Sequence, residues 1–105
     1  MEIFNVNEIN AVVFNDADGL YKALRKNQIV WCWGAEKWTI INNKALRFKS
    51  NGYLHKGYVY ITVNGLDLFD IYITTLGNKI KEVIKDIYLE DLIDVIDRRI
   101  ETKGK

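Results

Sequence analysis

ALRFKSNGYLHKGYVYITVNGLDLFDIYIT, residues 45–74, decides the fold of this 105-residue chain. Apolar and polar side chains alternate along it with a period of two, which is the pattern of strands whose two faces meet different surroundings. Asn51-Gly52 and Asn64-Gly65 interrupt the alternation, and Asn-Gly pairs favour the positive φ angles of two-residue hairpin loops. The stretch therefore predicts consecutive antiparallel hairpins.

The same signals extend to both sides of this stretch. Asn42-Asn43 offers a further turn of the same kind. The result is an antiparallel meander of five to six strands, with strands over 28–33, 37–42, 45–50, 53–63 and 66–74 and a sixth near 79–85.

Helical spacing replaces the period of two at both ends of the chain. Residues 16–27 carry apolar side chains at i, i+3, i+4 and i+7, and residues 89–101 do the same with acids early and arginines late. Residues 3–14 fit a helix or a strand. We therefore expect one α+β domain over residues 1–105, with an N-terminal helix and a C-terminal amphipathic helix packed on one face of the sheet.

A hairpin at Asn51-Gly52 assigns each side chain of the meander to one face of the sheet. It pairs Phe48 with His55 and Ser50 with Tyr53. A bulge at Phe69-Asp70 is then needed to place the isoleucines that follow it in the chain on the core face of the sheet. The expected core face contains Leu46, Phe48, Val59, Ile61, Val63, Leu66 and Leu68.

The opposite face, which we call the tyrosine face, mixes aromatic rings with charges. Tyrosines of this kind can stack on unpaired bases while neighbouring cations contact phosphates. Tyrosine is also a good strand former, so a merely solvated sheet face is the simpler interpretation. The tyrosine face comprises Arg47, Lys49, Lys56, Tyr58, Tyr60, Thr62, Asp70, Tyr72 and Thr74.

All three tryptophans lie within nine residues, 30–38, of sequence VWCWGAEKW. Alternation makes both sides of a strand over 28–33 apolar, which predicts a covered strand and two indoles in the core. The alternative is that Trp33 or Trp38 stays partly exposed and anchors a protein contact.

Few features of the sequence indicate a catalytic site or a metal site. A single cysteine, Cys32, excludes an internal disulfide, and His55 is the only histidine. No glycine-rich phosphate loop is present. Asp67 with Asp70, or the acids of 90–97, could offer oxygen ligands to Mg²⁺. We nevertheless expect no catalytic residues, no metal site and no cofactor.

Charge is distributed unevenly although the net charge is only +1. Residues 1–21 hold four acids and no base, and residues 57–101 hold nine acids and five bases. Residues 22–56 hold eight bases and one acid, a local charge of +7 around the tryptophans. Such asymmetry can mark a nucleic-acid surface, but the overall balance is far below that of typical nucleic-acid domains.

These observations favour a small binding protein. The first hypothesis is a protein-binding module, acting as an inhibitor, adaptor or assembly component, and the alternative is a single-stranded nucleic-acid binder. A composition rich in Asn, Ile, Lys and Tyr without proline is typical of bacterial or phage sequences. We expect a cytoplasmic location, no membrane contact and an unknown protein partner, with a homo-oligomer left open. The candidate binding residues are Arg47, Lys49, Lys56, Tyr58, Tyr60, Tyr72, Trp33 and Trp38.

Overall fold

A computed structural model describes residues 3–5, 9, 11–13, 17–27, 30, 33–51 and 55–100. Five strands form one antiparallel meander in the order β1-β2-β3-β4-β5, so neighbours in sequence are neighbours in the sheet. The predicted α+β class, with a helix on each side of the strands in sequence, is confirmed. The elements are α1 (Ala17–Arg25), β1 (Glu36–Ile41), β2 (Ala45–Asn51), β3 (Lys56–Val63), β4 (Phe69–Thr74), β5 (Ile80–Ile87) and α2 (Leu89–Ile100).

Both helices are amphipathic and cover the same face of the sheet. Leu24 of α1 and the apolar stripe of α2 are buried against the strands, while their charged sides stay exposed. Asp18 lies in the first turn of α1 and Arg25 in the last, which suits the helix dipole. The stripe of α2 consists of Leu92, Ile96 and Ile100.

The core lies between this face and the helices. Leu46, Phe48, Val59 and Ile61 are buried there as predicted. Burying side chains of this size contributes about 1.5–3 kcal/mol each relative to leaving them in water. These four side chains therefore stabilise the sheet as its alternation predicted, whereas Val63, which was also assigned to the core face, is only half-buried.

The pairing of β2 with β3 differs from the predicted register. Phe48 pairs with Val59 rather than His55, and Ser50 pairs with Gly57. Tyr53, its predicted partner, lies outside the described residues. The displacement is an even number of residues, so every side chain keeps its predicted face despite the wrong pairing.

The connection from β3 to β4 is longer than a two-residue turn, which corrects four predictions. Asn64 Oδ1 accepts hydrogen bonds from the backbone N–H groups of Leu66 (2.8 Å) and Leu68 (3.3 Å), so the loop extends to Leu68. Leu66 is consequently 73% exposed and not in the core, and Leu68 is half-buried. Because β4 begins at Phe69, in register with Val63, no bulge is needed between β3 and β4.

The predicted strand over 28–33 is wrong at the positions that the structure describes. Val30 is helical, and the Trp33 N–H donates to Val30 O at 3.1 Å in a turn that continues through Gly34. The strand expected near 79–85 is present as β5. The chain turns at Asn42-Asn43 as predicted, since both residues have positive φ angles of 52° and 54°. The loop has three residues rather than the predicted two, because Ile41 pairs with Ala45.

N-terminal residues cover the second face of the sheet. Phe4 N–H donates to Asn78 O at 2.7 Å, and Val12 N–H donates to Val63 O at 2.8 Å. Ile3 and Val12 form isolated bridges, so neither a regular helix nor a regular strand describes these positions. Phe4 is buried with Tyr60 and Tyr72 in a second apolar cluster, so the sheet has packed side chains on both faces.

Candidate functional site

A concave surface lies where α1 meets the edge strand β1. The rings of Tyr21 and Trp38 meet edge to face, with centroids 5.3 Å apart. Trp38 also packs on Phe48, with centroids 4.6 Å apart, so the core holds the indole in place. Both Tyr21 and Trp38 are half-buried, which leaves part of each ring at the surface.

A groove of about 540 Å³ opens on one side of this ring pair. One wall comes from α1 and the other from the turn that leads into β1. We call it the α1–β1 groove, and its lining residues are Tyr21, Arg25, Val30, Gly34, Ala35, Glu36, Lys37 and Trp38.

A smaller groove of about 270 Å³ also borders these two rings. Ile40 contributes an exposed apolar side chain to it, and Leu46 lies at its buried side. Asp18, Tyr21, Trp38 and Thr39 complete the lining. The ring pair thus lines two concave surfaces along one edge of the sheet.

The charged side chains that line the α1–β1 groove differ in the hydrogen bonds and ion pairs that they form. Arg25 Nη1 donates to the Tyr21 hydroxyl at 2.8 Å, and its guanidinium carbon lies 5.6 Å from the tyrosine ring centroid. Glu36 is drawn towards β2, because Lys49 Nζ lies 3.6 Å from its carboxylate and Asn51 donates to it at 3.3 Å. Lys37 is exposed and has a φ of 56°. The groove therefore presents cations on both walls.

The two edges of the sheet are built differently. The pairing of β5 with β4 has two irregularities, and this edge strand carries the exposed lysines Lys81 and Lys85. Both features discourage the addition of another strand. In β1 the irregularity lies between Glu36 and Thr39, and pairing with β2 is regular from Thr39 to Ile41. The regular half of β1 lies beside the smaller groove, which Thr39 and Ile40 line.

The tyrosine face is largely covered. Its membership is as predicted, since Tyr58 and Tyr60 of β3 pair with Lys49 and Arg47 of β2, and Tyr60 also pairs with Tyr72 of β4. Tyr60 and Tyr72, however, are only 3% and 7% exposed. Burial raises the pKa of both phenols. Neither ring offers a free face on which a base could stack.

The remaining residues of that face lie at its margin. Tyr58, Arg47 and Lys49 are half-buried, and Lys56 is exposed. The Arg47 guanidinium carbon lies 4.4 Å from the centroid of the Tyr58 ring. A cation of the protein itself therefore already covers one face of that ring.

The tryptophans separate into two environments. Trp33 is fully buried, and its Nε1 donates to Asp97 of α2 at 2.9 Å, so it is a core residue. Trp38 lies in both grooves. The eight predicted binding residues are therefore divided between the core, the tyrosine face and the α1–β1 groove.

Sequence reasoning missed Tyr21 and Arg25 as site residues. The helical period assigned Tyr21 to the buried stripe of α1, where its half-buried ring also contacts the core. Arg25 lies on the next turn of the same helix, four residues on, and binds the Tyr21 hydroxyl. The signal was the i, i+4 spacing of a tyrosine and an arginine.

Polar clusters elsewhere have structural roles. Asp70 and Asp86 both accept hydrogen bonds from Asn64 Nδ2, at 3.0 and 2.8 Å, which ties the β3–β4 loop to β5. Among the described residues, no three histidine, cysteine, aspartate or glutamate side chains are close enough together to hold a metal ion. None of the helices in this part of the chain has the length and apolar character needed to cross a bilayer.

No protein-family model, no curated protein and no solved structure matches this chain.

Proposed function

We propose that this chain is a non-enzymatic protein-binding module of bacterial or phage type that binds its partner through the α1–β1 groove. The observation that carries the proposal is the Tyr21–Trp38 ring pair, half-buried between two grooves at an edge of the sheet. Rigid aromatic side chains that are held by the core and remain partly accessible are the typical anchors of protein interfaces.

The surroundings of the ring pair suit an interface. Arg25 and Lys37 add polar groups at the rim, while Trp38 and Ile40 add apolar area. An apolar centre with a polar rim is the usual arrangement of protein contacts. The regular pairing from Thr39 to Ile41 also leaves a short strand edge that a partner's extended segment can join.

A single-stranded nucleic-acid binder is a weaker proposal. It depends on tyrosine rings that stack on bases, whereas Tyr60 and Tyr72 are buried and Arg47 covers Tyr58. What remains for nucleic acid is electrostatic contact through Lys49 and Lys56, of which Lys49 already faces Glu36.

A pull-down from bacterial lysate, with and without nuclease, tests the proposal. The groove variants are Lys37→Glu in the α1–β1 groove and Ile40→Ser in the smaller groove that shares its ring pair. Both side chains are exposed, so their replacement should leave the fold intact. Val83→Ser on β5 and Lys79→Glu in the β4–β5 turn are matched controls away from the groove.

We expect wild type and both controls to capture the same partner with or without nuclease, and the two groove variants to lose it. Capture that disappears on nuclease treatment would favour nucleic acid instead. Equal capture by Ile40→Ser, Lys37→Glu and wild type would place the binding surface elsewhere.

A further inference from the structure

One end of the sheet exposes a group of apolar side chains that the core does not use. The β3–β4 loop, the end of β5 and the start of α2 meet there, because Asn64 Nδ2 donates to Asp86 Oδ1 at 2.8 Å. Val12 joins them through its bridge to Val63, next to Asn64. We call this surface the apolar end, and it comprises Val12, Val13, Leu66, Tyr88 and Leu89, all of them exposed.

Acidic groups surround the apolar end. Asp67 follows Leu66 at the loop tip, and Glu90 and Asp91 form the first turn of α2 directly after Leu89. Asp86 is also exposed. With Lys85 beside Asp86, residues 12–13, 64–67 and 85–91 carry four acids and one base.

The α1–β1 groove has the opposite character. Arg25 and Lys37 stand on its two walls, and the carboxylate of Glu36 faces Lys49. Its volume of about 540 Å³ has room for a leucine side chain together with its flanking backbone. The aromatic side of the groove, Tyr21 and Trp38, offers apolar contact for such a side chain.

We infer that this chain associates with a second copy of itself head to tail, with the apolar end of one copy seated in the α1–β1 groove of the next. Leu66, at the loop tip, enters the groove, and Asp67 beside it lies among the groove cations. The two surfaces complement each other in charge, since acids surround the apolar end and cations stand on both walls of the groove. The inference rests on the proposed function only in taking the groove to be a protein-binding site.

The contact uses two different surfaces, so it does not close on itself as a two-fold dimer does. Each added copy leaves a free groove at one end and a free apolar end at the other. The expected product is a series of oligomers whose mean mass grows with protein concentration.

Sedimentation velocity over roughly 5–500 μM protein measures this growth, since weak contacts of small area fall in the micromolar range. We expect the weight-average mass to rise with concentration, and to rise less at high salt because exposed charges are screened. Leu66→Asn and Lys37→Glu should each require roughly tenfold more protein for the same association. Leu76→Asn and Lys79→Glu, in the β4–β5 turn at the opposite end, are matched controls that should behave as wild type.

Mixing the two variants gives the decisive measurement. A Leu66→Asn copy keeps an intact groove and a Lys37→Glu copy keeps an intact apolar end, so an equimolar mixture should form a heterodimer that stops growing. A mass that stays monomeric at every concentration overturns the inference, and so does a mixture that associates no better than its components. Partner capture in the lysate experiment, retained despite either result, would show that the groove binds a different protein and that the proposed function stands.

Discussion

The ring of Phe4 stacks on the ring of Tyr60, with centroids 3.9 Å apart. Phe4 also meets Tyr72 edge to face at 5.0 Å. These contacts join the N-terminal residues to the tyrosine face in a second apolar cluster, separate from the core under the helices. Both faces of the sheet therefore contribute to stability.

Phe4→Ala should lower the free energy of unfolding by about 3 kcal/mol, because removing a buried aromatic ring loses its burial and leaves a cavity. Denaturant unfolding measures the change. Chemical modification of Tyr60 and Tyr72 by N-acetylimidazole should also become faster, since their cover is lost.

Ile3→Ala is the matched control for Phe4, because Ile3 is the neighbouring residue and is exposed. It should change stability by less than about 1 kcal/mol. Equal effects of the two substitutions would show that the stacked ring contributes nothing.

Ile61→Ala tests the core face. Ile61 is fully buried between Leu46 and Ile71, its partners on β2 and β4. We expect a loss of about 2–5 kcal/mol, which is a large part of the stability of a domain of this size. Ile40→Ala, at an exposed position of β1, is the control, and thermal unfolding of the two variants compares them.

The contact between Trp33 and Asp97 makes α2 a structural helix. Asp97→Ala leaves the indole N–H without this acceptor, and we expect a loss of about 1–3 kcal/mol with a shift of tryptophan fluorescence. Deletion of residues 89–105 removes Leu92, Ile96 and Ile100 from the core and should leave a chain without cooperative unfolding. A cooperatively folded truncation would show that the sheet does not need the helix.

His55 predicts how stability depends on pH. Its side chain is 3% exposed, its Nε2 lies 3.3 Å from Tyr58 O, and its Nδ1 lies 3.0 Å from Lys81 Nζ. Burial, followed by the charge of Lys81, lowers the pKa of His55 below the ordinary 6.5. As pH falls below 6.5, His55 takes up a proton in the unfolded chain before it does so in the folded chain. The free energy of unfolding therefore decreases as pH falls from 6.5 to the lower pKa of His55 in the folded chain.

Urea unfolding between pH 8 and pH 5 should show this loss, and His55→Gln should remove it. Lys81→Gln removes one cause of the lowered pKa, so the NMR titration midpoint of His55 should rise. An unchanged midpoint in Lys81→Gln would mean that burial alone sets the pKa.

Local periodicity predicted the parts of the fold that depend on the strand pleat and the helix repeat. Phe48 and Val59 were assigned to the core and Tyr58 and Tyr60 to the other face, although the predicted pairing of β2 with β3 was displaced. The displacement was even, and a side chain's face depends only on the parity of its position. The i, i+3, i+4 spacing likewise predicted both helices.

The alternation pattern did not predict the length of the β3–β4 loop, because hydrogen bonds of a side chain set that length. Asn64 was expected only to bend the chain, but its side chain also binds the loop backbone and two carboxylates, Asp70 and Asp86. This network extends the loop past Leu66 and exposes that leucine. A hydrogen-bond network between residues 22 positions apart leaves no periodic signal in the sequence.

The sequence by itself determined which residues alternate, which helix faces are apolar, and where Asn42-Asn43 turns the chain, because each depends on neighbours a few positions away. Only the tertiary structure decided that Phe4 covers the tyrosines, that Trp33 is buried on Asp97, and that Trp38 meets Tyr21 beside a groove. These contacts join segments far apart in the chain. Whether an aromatic ring becomes core or surface depends on what packs over it, and that is decided by the folded chain as a whole.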